Sequence, residues 1–202
     1  MKIDTEHLHF WMNAVRISNN PMRTLDAFWS GQIKSKEWLI DNIRQNYAWD
    51  AHRPVRIDIH GGWVGVLASM IFQSDLPVRY IYNVDIDPLC EHVATMMNKI
   101  EEQDGRFKHV TADMCDIQIS DNIIVINTSC EHITQEQYDV WLDRVPNNTT
   151  VVLQSNNYKI PEHVRIADTL EHFKEQSKLS TITYSGTLAL PMYNRFMIIG
   201  RK

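Results

Sequence analysis

The chain has 202 residues, enough for one domain with a sizeable core, and its apolar and charged fractions of 44% and 22% are those of an ordinary globular protein. A net charge of −5 argues against broad phosphate-backbone binding, so duplex nucleic acid is not an expected partner. Three cysteines (Cys90, Cys115, Cys130) make no secreted disulfide framework, and neither a bilayer-length apolar run nor an apolar signal core after Met1 is present, so a cytoplasmic protein without a membrane partner is expected.

In chain order, residues 1–50 read as a helical cap. Apolar spacing predicts helices over His7–Ser18, Thr24–Trp29 and Ser35–Gln45, separated by the breakers Asn19-Asn-Pro21 and Ser30-Gly31. These helices carry too little apolar surface to close a core alone. They are expected to pack beside the first strand of the core, 51–202, within a single domain. From Val55 onward, β-branched runs alternate with helical patterns. Strands are predicted over Val55–Ile59, Val78–Val84, Phe107–Thr111, Ile123–Asn127, Thr149–Gln154, Leu179–Ser185 and Arg195–Gly200. Helices are predicted over Val64–Gln73, Pro88–Glu101, Gln135–Arg144 and Pro161–Gln176.

Such alternation implies a three-layer α/β fold, a parallel sheet with helices on both faces. The turn around Pro191 is too short for a crossover, so the last two strands should pair antiparallel. Asp113 to Asp121 shows no helix. Its nine residues reach roughly 30 Å when extended, while three strand spacings need about 15 Å. The chain can therefore cross from an edge strand to the far side of the first strand.

The densest signal is Val55-Arg-Ile-Asp-Ile-His-Gly-Gly-Trp-Val-Gly-Val-Leu-Ala68, followed by Tyr80-Ile-Tyr-Asn-Val-Asp-Ile-Asp-Pro88. Glycines after one parallel strand let a ligand approach the backbone, and an acid ending the next strand can accept from two ribose hydroxyls. Asp87 and Pro88 suit the start of the following helix, which leaves Asp85 for the ligand.

From Val55 to Lys202 the pattern resembles the class I S-adenosylmethionine-dependent methyltransferases. The resemblance rests on Asp58 with Gly61-Gly62, Val84-Asp85-Ile86-Asp87-Pro88, Ala112-Asp113-Met114 and Asn127-Thr-Ser-Cys-Glu-His-Ile133. It implies a Rossmann-like seven-stranded sheet with the last strand antiparallel, S-adenosylmethionine as cofactor, and methyl transfer to a small-molecule acceptor. By the same resemblance, Gly61 and Gly62 run beneath the methionine moiety, with His60 and Trp63 beside them. Asp85 with Ile86 holds the ribose, Asp113 with Met114 holds the adenine, and the backbone carbonyl of Asn127 meets the amino group of the methionine part, or the Asn127 amide caps the following loop. His60 stands where the family has its first glycine. The segments Phe28–Trp38 and Tyr193–Lys202 resemble methyltransferase-like proteins of large tailed bacteriophages.

Methyl transfer needs an aligned nucleophile and, for a protonated one, a base. Glu131 and His132 are the catalytic candidates, because a near-neutral histidine can take a proton from a hydroxyl or amine. A half-buried histidine without a role is the alternative. Tyr193 and Arg195 of the closing hairpin are candidates for the acceptor pocket. Trp29, Gln32, Lys34, Lys36 and Trp38 form either a lid or an amphipathic helix with solvated lysines. No metal is expected: Cys90-Glu-His92 and Cys130-Glu-His132 echo each other, but i and i+2 on a helix diverge and chelate poorly. No Asn/Asp-Pro-Pro-Tyr/Phe motif follows the fourth strand. Aminopropyl transfer, lyase chemistry and non-catalytic binding of an adenosyl ligand remain open, since one fold carries many reactions.

Overall fold

The β-branched runs become seven strands: β1 (Val55–His60), β2 (Val78–Asp85), β3 (Phe107–Thr111), β4 (Ile123–Asn127), β5 (Thr150–Asn156), β6 (Thr181–Ala189) and β7 (Asn194–Arg201). The computed structural model describes residues 4–120 and 123–202. The sheet order is β3-β2-β1-β4-β5-β7-β6. Every pairing is parallel except the two made by β7. After β3 the chain passes to the far side of β1, as the length of the helix-free connection allows; Asp121 and Asn122 lie outside the described residues.

Eight α-helices are described, α1 (Thr5–Ile17), α2 (Pro21–Asp26), α3 (Ser30–Asn46), α4 (Val66–Phe72), α5 (Leu89–Met97), α6 (Lys99–Gln103), α7 (Gln135–Arg144) and α8 (Leu170–Ser177), with one short 3-10 turn at Cys130–His132. Period-two alternation sorts the strand side chains between two apolar layers. Ile57, Ile59, Ile124, Ile126, Val152 and Met197 face one cluster, which α1, α3, α4 and α5 cover. Val125, Val151, Leu153, Phe196 and Ile198 face the other, filled by Tyr138 and Trp141 of α7 and Phe173 of α8. Burial on both faces makes the central strands continuous apolar runs.

The cap shares the first of these cores. Trp11, Leu39 and Ile43 lie in the same cluster as Ile57 and Val66. The Trp11 indole donates to Ser69 Oγ at 2.8 Å, and Gln154 Nε2 donates to the Ser35 carbonyl at 3.1 Å. Among the described residues no helix is long and apolar enough to cross a membrane.

Three elements differ from the sequence expectation. Gly31, read as a breaker, lies in the first turn of α3, where a glycine is tolerated. Pro88–Glu101 is not one helix. Asn98, at φ −111 and ψ 35, separates α5 from α6, and its Nδ2 donates to the carbonyls of Gly65 and Ala94. Of Pro161–Gln176, only the end from Leu170 is helical. The backbone N–H groups of Arg165 and Ala167 donate instead to the carbonyls of Glu131 and Asn156, so they cannot serve a helix.

Candidate active site

The sheet reverses its order between β1 and β4, with β2 on one side of β1 and β4 on the other. Loops leaving the carboxyl ends of two such strands part in opposite directions and leave a crevice. A cavity of about 770 Å³ occupies it, a size that suits a nucleoside-containing ligand with a small second molecule. Its walls come from the ends of β1 through β4, the loop after β5, and Arg195 of β7; Arg23, Asp26, Gln32 and Lys36 of the cap close one side.

The turn after β1 is held from several directions. Gly61 and Gly65 have φ of 65 and 76, which glycine adopts freely. Trp63 takes φ 47, a conformation that is strained for a bulky residue and tends to occur at functional sites. Its N–H donates to Asp85 Oδ2 at 2.7 Å, and Arg23 lies over its ring at 5.8 Å. Its indole Nε1 is buried with no hydrogen-bond partner among the described residues. A Cβ on Gly61 would stand 2.8 Å from Ser129 Oγ, and one on Gly62 would stand 2.0 Å from Asn83 Oδ1. The glycines are thus required by their own protein neighbours, while their backbone still lines the cavity.

Asp85 ends β2 in the cavity wall, accepting from Trp63 N on one oxygen and from Asp87 N at 3.0 Å on the other. Each carboxylate oxygen keeps a lone pair for a further donor. Ile86, beside it, is 67% exposed, and with Met114 it gives the cleft two apolar flanks. Asp113 also lines the cavity and accepts Cys115 N at 2.8 Å on Oδ1.

One of the proposed cofactor residues, His60, lies elsewhere, and the side chain of another, Asn127, caps a loop. His60 is fully buried on the far sheet face, where Nδ1 accepts the Trp141 indole N–H at 2.6 Å. Burial lowers its pKa to about 4, and the neighbouring Arg56 adds to the effect. An extended strand residue at this register points into the second core, so the missing first glycine affects packing and not the cleft. Asn127 is also fully buried. Its Oδ1 accepts Ser129 N at 2.9 Å and its Nδ2 contacts Met114 Sδ, so the side chain caps the loop.

At the opposite end of the cleft stand Glu131 and His132. Glu131 is 3% exposed, and its Oε1 accepts Arg195 Nη1 at 2.5 Å and Asn156 Nδ2 at 2.6 Å. Arg195 also donates to the Thr128 carbonyl, which ties β7 to the loop after β4. Lys36 is buried beside this pair. Burial is the main cause that lowers its pKa to about 7; Arg195 lowers it further and Glu131 opposes both. His132 lies against His163, with ring centroids 4.7 Å apart.

Of the cap residues read as a lid, Gln32 and Lys36 reach the cavity. Trp29 is 71% exposed and Trp38 packs on the first core. Tyr193 stacks on Tyr158 at 5.4 Å. Cys90 and Cys130 are buried thiols whose pKa burial pushes up to about 12. His163, Arg23 and Asn83 escaped sequence reasoning. His163 lay within a segment read as helix, and no local motif connects it to His132.

No protein-family model matches the chain, and no curated protein matches it by sequence. Solved structures share its fold. The magnesium protoporphyrin IX methyltransferase of Synechocystis PCC 6803, crystallised with bound SAH, is 12% identical with a TM-score of 0.65, over 98% of this chain and 94% of that one. The cyclase SpnF is 10% identical with a TM-score of 0.67, over 85% and 82%. The pyocyanin biosynthetic protein PhzM is 14% identical with a TM-score of 0.65; 95% of this chain matches, spanning 62% of that one. These likenesses establish the fold of the class I S-adenosylmethionine-dependent methyltransferases.

Proposed function

We propose that this chain binds S-adenosylmethionine in the crevice between β1 and β4 and transfers the methyl group to a small-molecule acceptor. The observation that carries the reading is Asp85, an acid held by two backbone donors at the end of β2, beside a glycine turn at the switch point of the sheet.

The residues present fit the cofactor. The remaining lone pairs of Asp85 suit two ribose hydroxyls. Exposed Ile86 and half-buried Met114 offer apolar faces for a planar base, and Asp113 an acceptor for its amino group. Trp63 Nε1 is a buried donor in want of a partner. When bound, the sulfonium supplies an electrophilic methyl carbon. Much of the acceleration then comes from positioning, for which a cleft closed on one side by the cap is suited. Glu131 is tied to Arg195, so without a bound cation the proton of a hydroxyl or amine acceptor falls to His132.

A second reading keeps the cofactor and changes the reaction. It is favoured by the strained Trp63 in the turn and by the cyclase of the same fold. Products separate the two: S-adenosylhomocysteine for methyl transfer, methylthioadenosine for aminopropyl-type chemistry.

The binding reading is tested by calorimetric titration of the ligand-free protein with S-adenosylmethionine and S-adenosylhomocysteine. Micromolar binding is expected. Asp85→Ala should weaken it at least about tenfold, the equivalent of one charge-assisted hydrogen bond. Absence of heat with both ligands, from a folded sample, overturns the reading.

A further inference from the structure

Three ligand-type groups converge at the acceptor end of the cleft. Glu131, His132 and His163 each offer one such atom, all within 4.8 Å of one another. A lone general base needs no such convergence.

The groups behind them are arranged as a metal site requires. His132 Nδ1 lies 3.2 Å from the Glu162 carbonyl, and His163 Nδ1 lies 2.8 Å from the Tyr158 carbonyl. A carbonyl only accepts, so in each neutral ring Nδ1 carries the proton and Nε2 keeps its lone pair. Backbone carbonyls that fix the tautomer in this way are the usual second layer behind metal-binding histidines. Glu131 Oε1 is held by Arg195 and Asn156, while Oε2 is buried without a partner among the described residues. A buried carboxylate oxygen lacking a donor is destabilising, and a cation would relieve it.

We propose that Glu131, His132 and His163 bind one divalent transition-metal ion of the zinc or cobalt type. Two imidazoles and one carboxylate suit these ions, and three protein ligands leave a position open toward the cavity. Magnesium and calcium favour sets of oxygen donors, and this site offers one protein oxygen, from Glu131, against two nitrogens. Arg195 shares the Glu131 charge and weakens the site further for such hard ions. The open position suits an acceptor oxygen, of a hydroxyl or phenol. The ion lowers the pKa of that hydroxyl, the proton leaves to solvent, and the oxygen stays on the metal. This use of the ion rests on the methyl-transfer reading, whereas binding of the ion does not.

Glu131→Gln would disturb a buried ion pair, so the two histidines carry the test. The full-length chain, stripped with chelator, is titrated with Co²⁺ by visible absorption and with Zn²⁺ by calorimetry, beside a Mg²⁺ control. S-Adenosylmethionine binding is measured on the same samples. One Zn²⁺ or Co²⁺ per chain is expected, with affinity at least about tenfold weaker in His132→Ala and in His163→Ala. Cofactor binding should persist in both. A folded wild-type protein that binds the cofactor but no ion overturns the metal site, as does ion binding unchanged in both variants. Ion binding that responds to both variants, in a protein deaf to the cofactor, upholds the metal site and sinks the methyl-transfer reading alone.

Discussion

Lys36 concentrates the electrostatic tension of the cleft. It is a buried cation beside Arg195, with Glu131 as the opposing charge and Gln32 Oε1 accepting its ammonium at 2.8 Å. The unfolded chain holds that proton up to an ordinary pKa of 10.5, while the folded chain releases it near 7. Between these values the unfolded state binds more protons, so Lys36 makes stability rise with pH, by at most roughly 1.4 kcal/mol per pH unit. Lys36→Met removes this dependence. The variant should be more stable than wild type at pH 6, and the gap should narrow from pH 7 toward 10, as read by urea denaturation across that range. A gap that stays constant would mean Lys36 keeps its proton. His60 teaches the opposite lesson about residues. It occupies the position of a family glycine, yet its side chain belongs to the core behind the sheet. A one-residue step along a strand changes the face, and only the register reveals which one.

At the scale of elements, the join between α5 and α6 steadies the glycine turn. Asn98 is fully buried and donates Nδ2 to both Gly65 and Ala94 carbonyls, while a Cβ on Gly65 would meet that nitrogen at 2.7 Å. The Gly65 and Ala94 carbonyls keep the backbone N–H groups of Ser69 and Asn98 as partners, so Asn98→Ala should cost about 0.5–1.5 kcal/mol, the net worth of the side-chain hydrogen bonding that is lost. Hydrogen exchange should quicken in the turn and at the start of α4, and a urea melt should report the loss. An unchanged melt would mean that water replaces the amide. The segment between β5 and α8 shows how an element is lost to tertiary contacts. Its sequence has helical spacing, but Arg165 is drawn inward by Gln135, the Gln176 carbonyl and the face of Tyr138 at 4.0 Å. Helix starts only at Leu170, where Thr169 Oγ1 accepts His172 N at 3.1 Å. Leaving that stretch irregular lets Glu162 and His163 reach the cleft.

The molecule as a whole depends on the cap being part of the core. Trp11 is 6% exposed, contacts Phe28 at 5.4 Å between ring centroids, and bonds to Ser69 of α4. Trp11→Ala should lower stability by about 3–5 kcal/mol within a single urea transition, because the cavity opens in a core that cap and sheet share. A separate early transition would mean the cap melts alone. The sequence by itself determined the strand and helix alternation, the crossing after β3, the antiparallel closing hairpin, and the glycine turn facing Asp85. Those features are local: a period of two, a turn residue, a connection too short for a helix. The tertiary structure alone decided that His163 meets His132, that Arg195 neutralises Glu131, and that His60 leaves the cleft. Each of these follows from strand register and from loops brought together across the sheet, where packing overrides the spacing of residues along the chain.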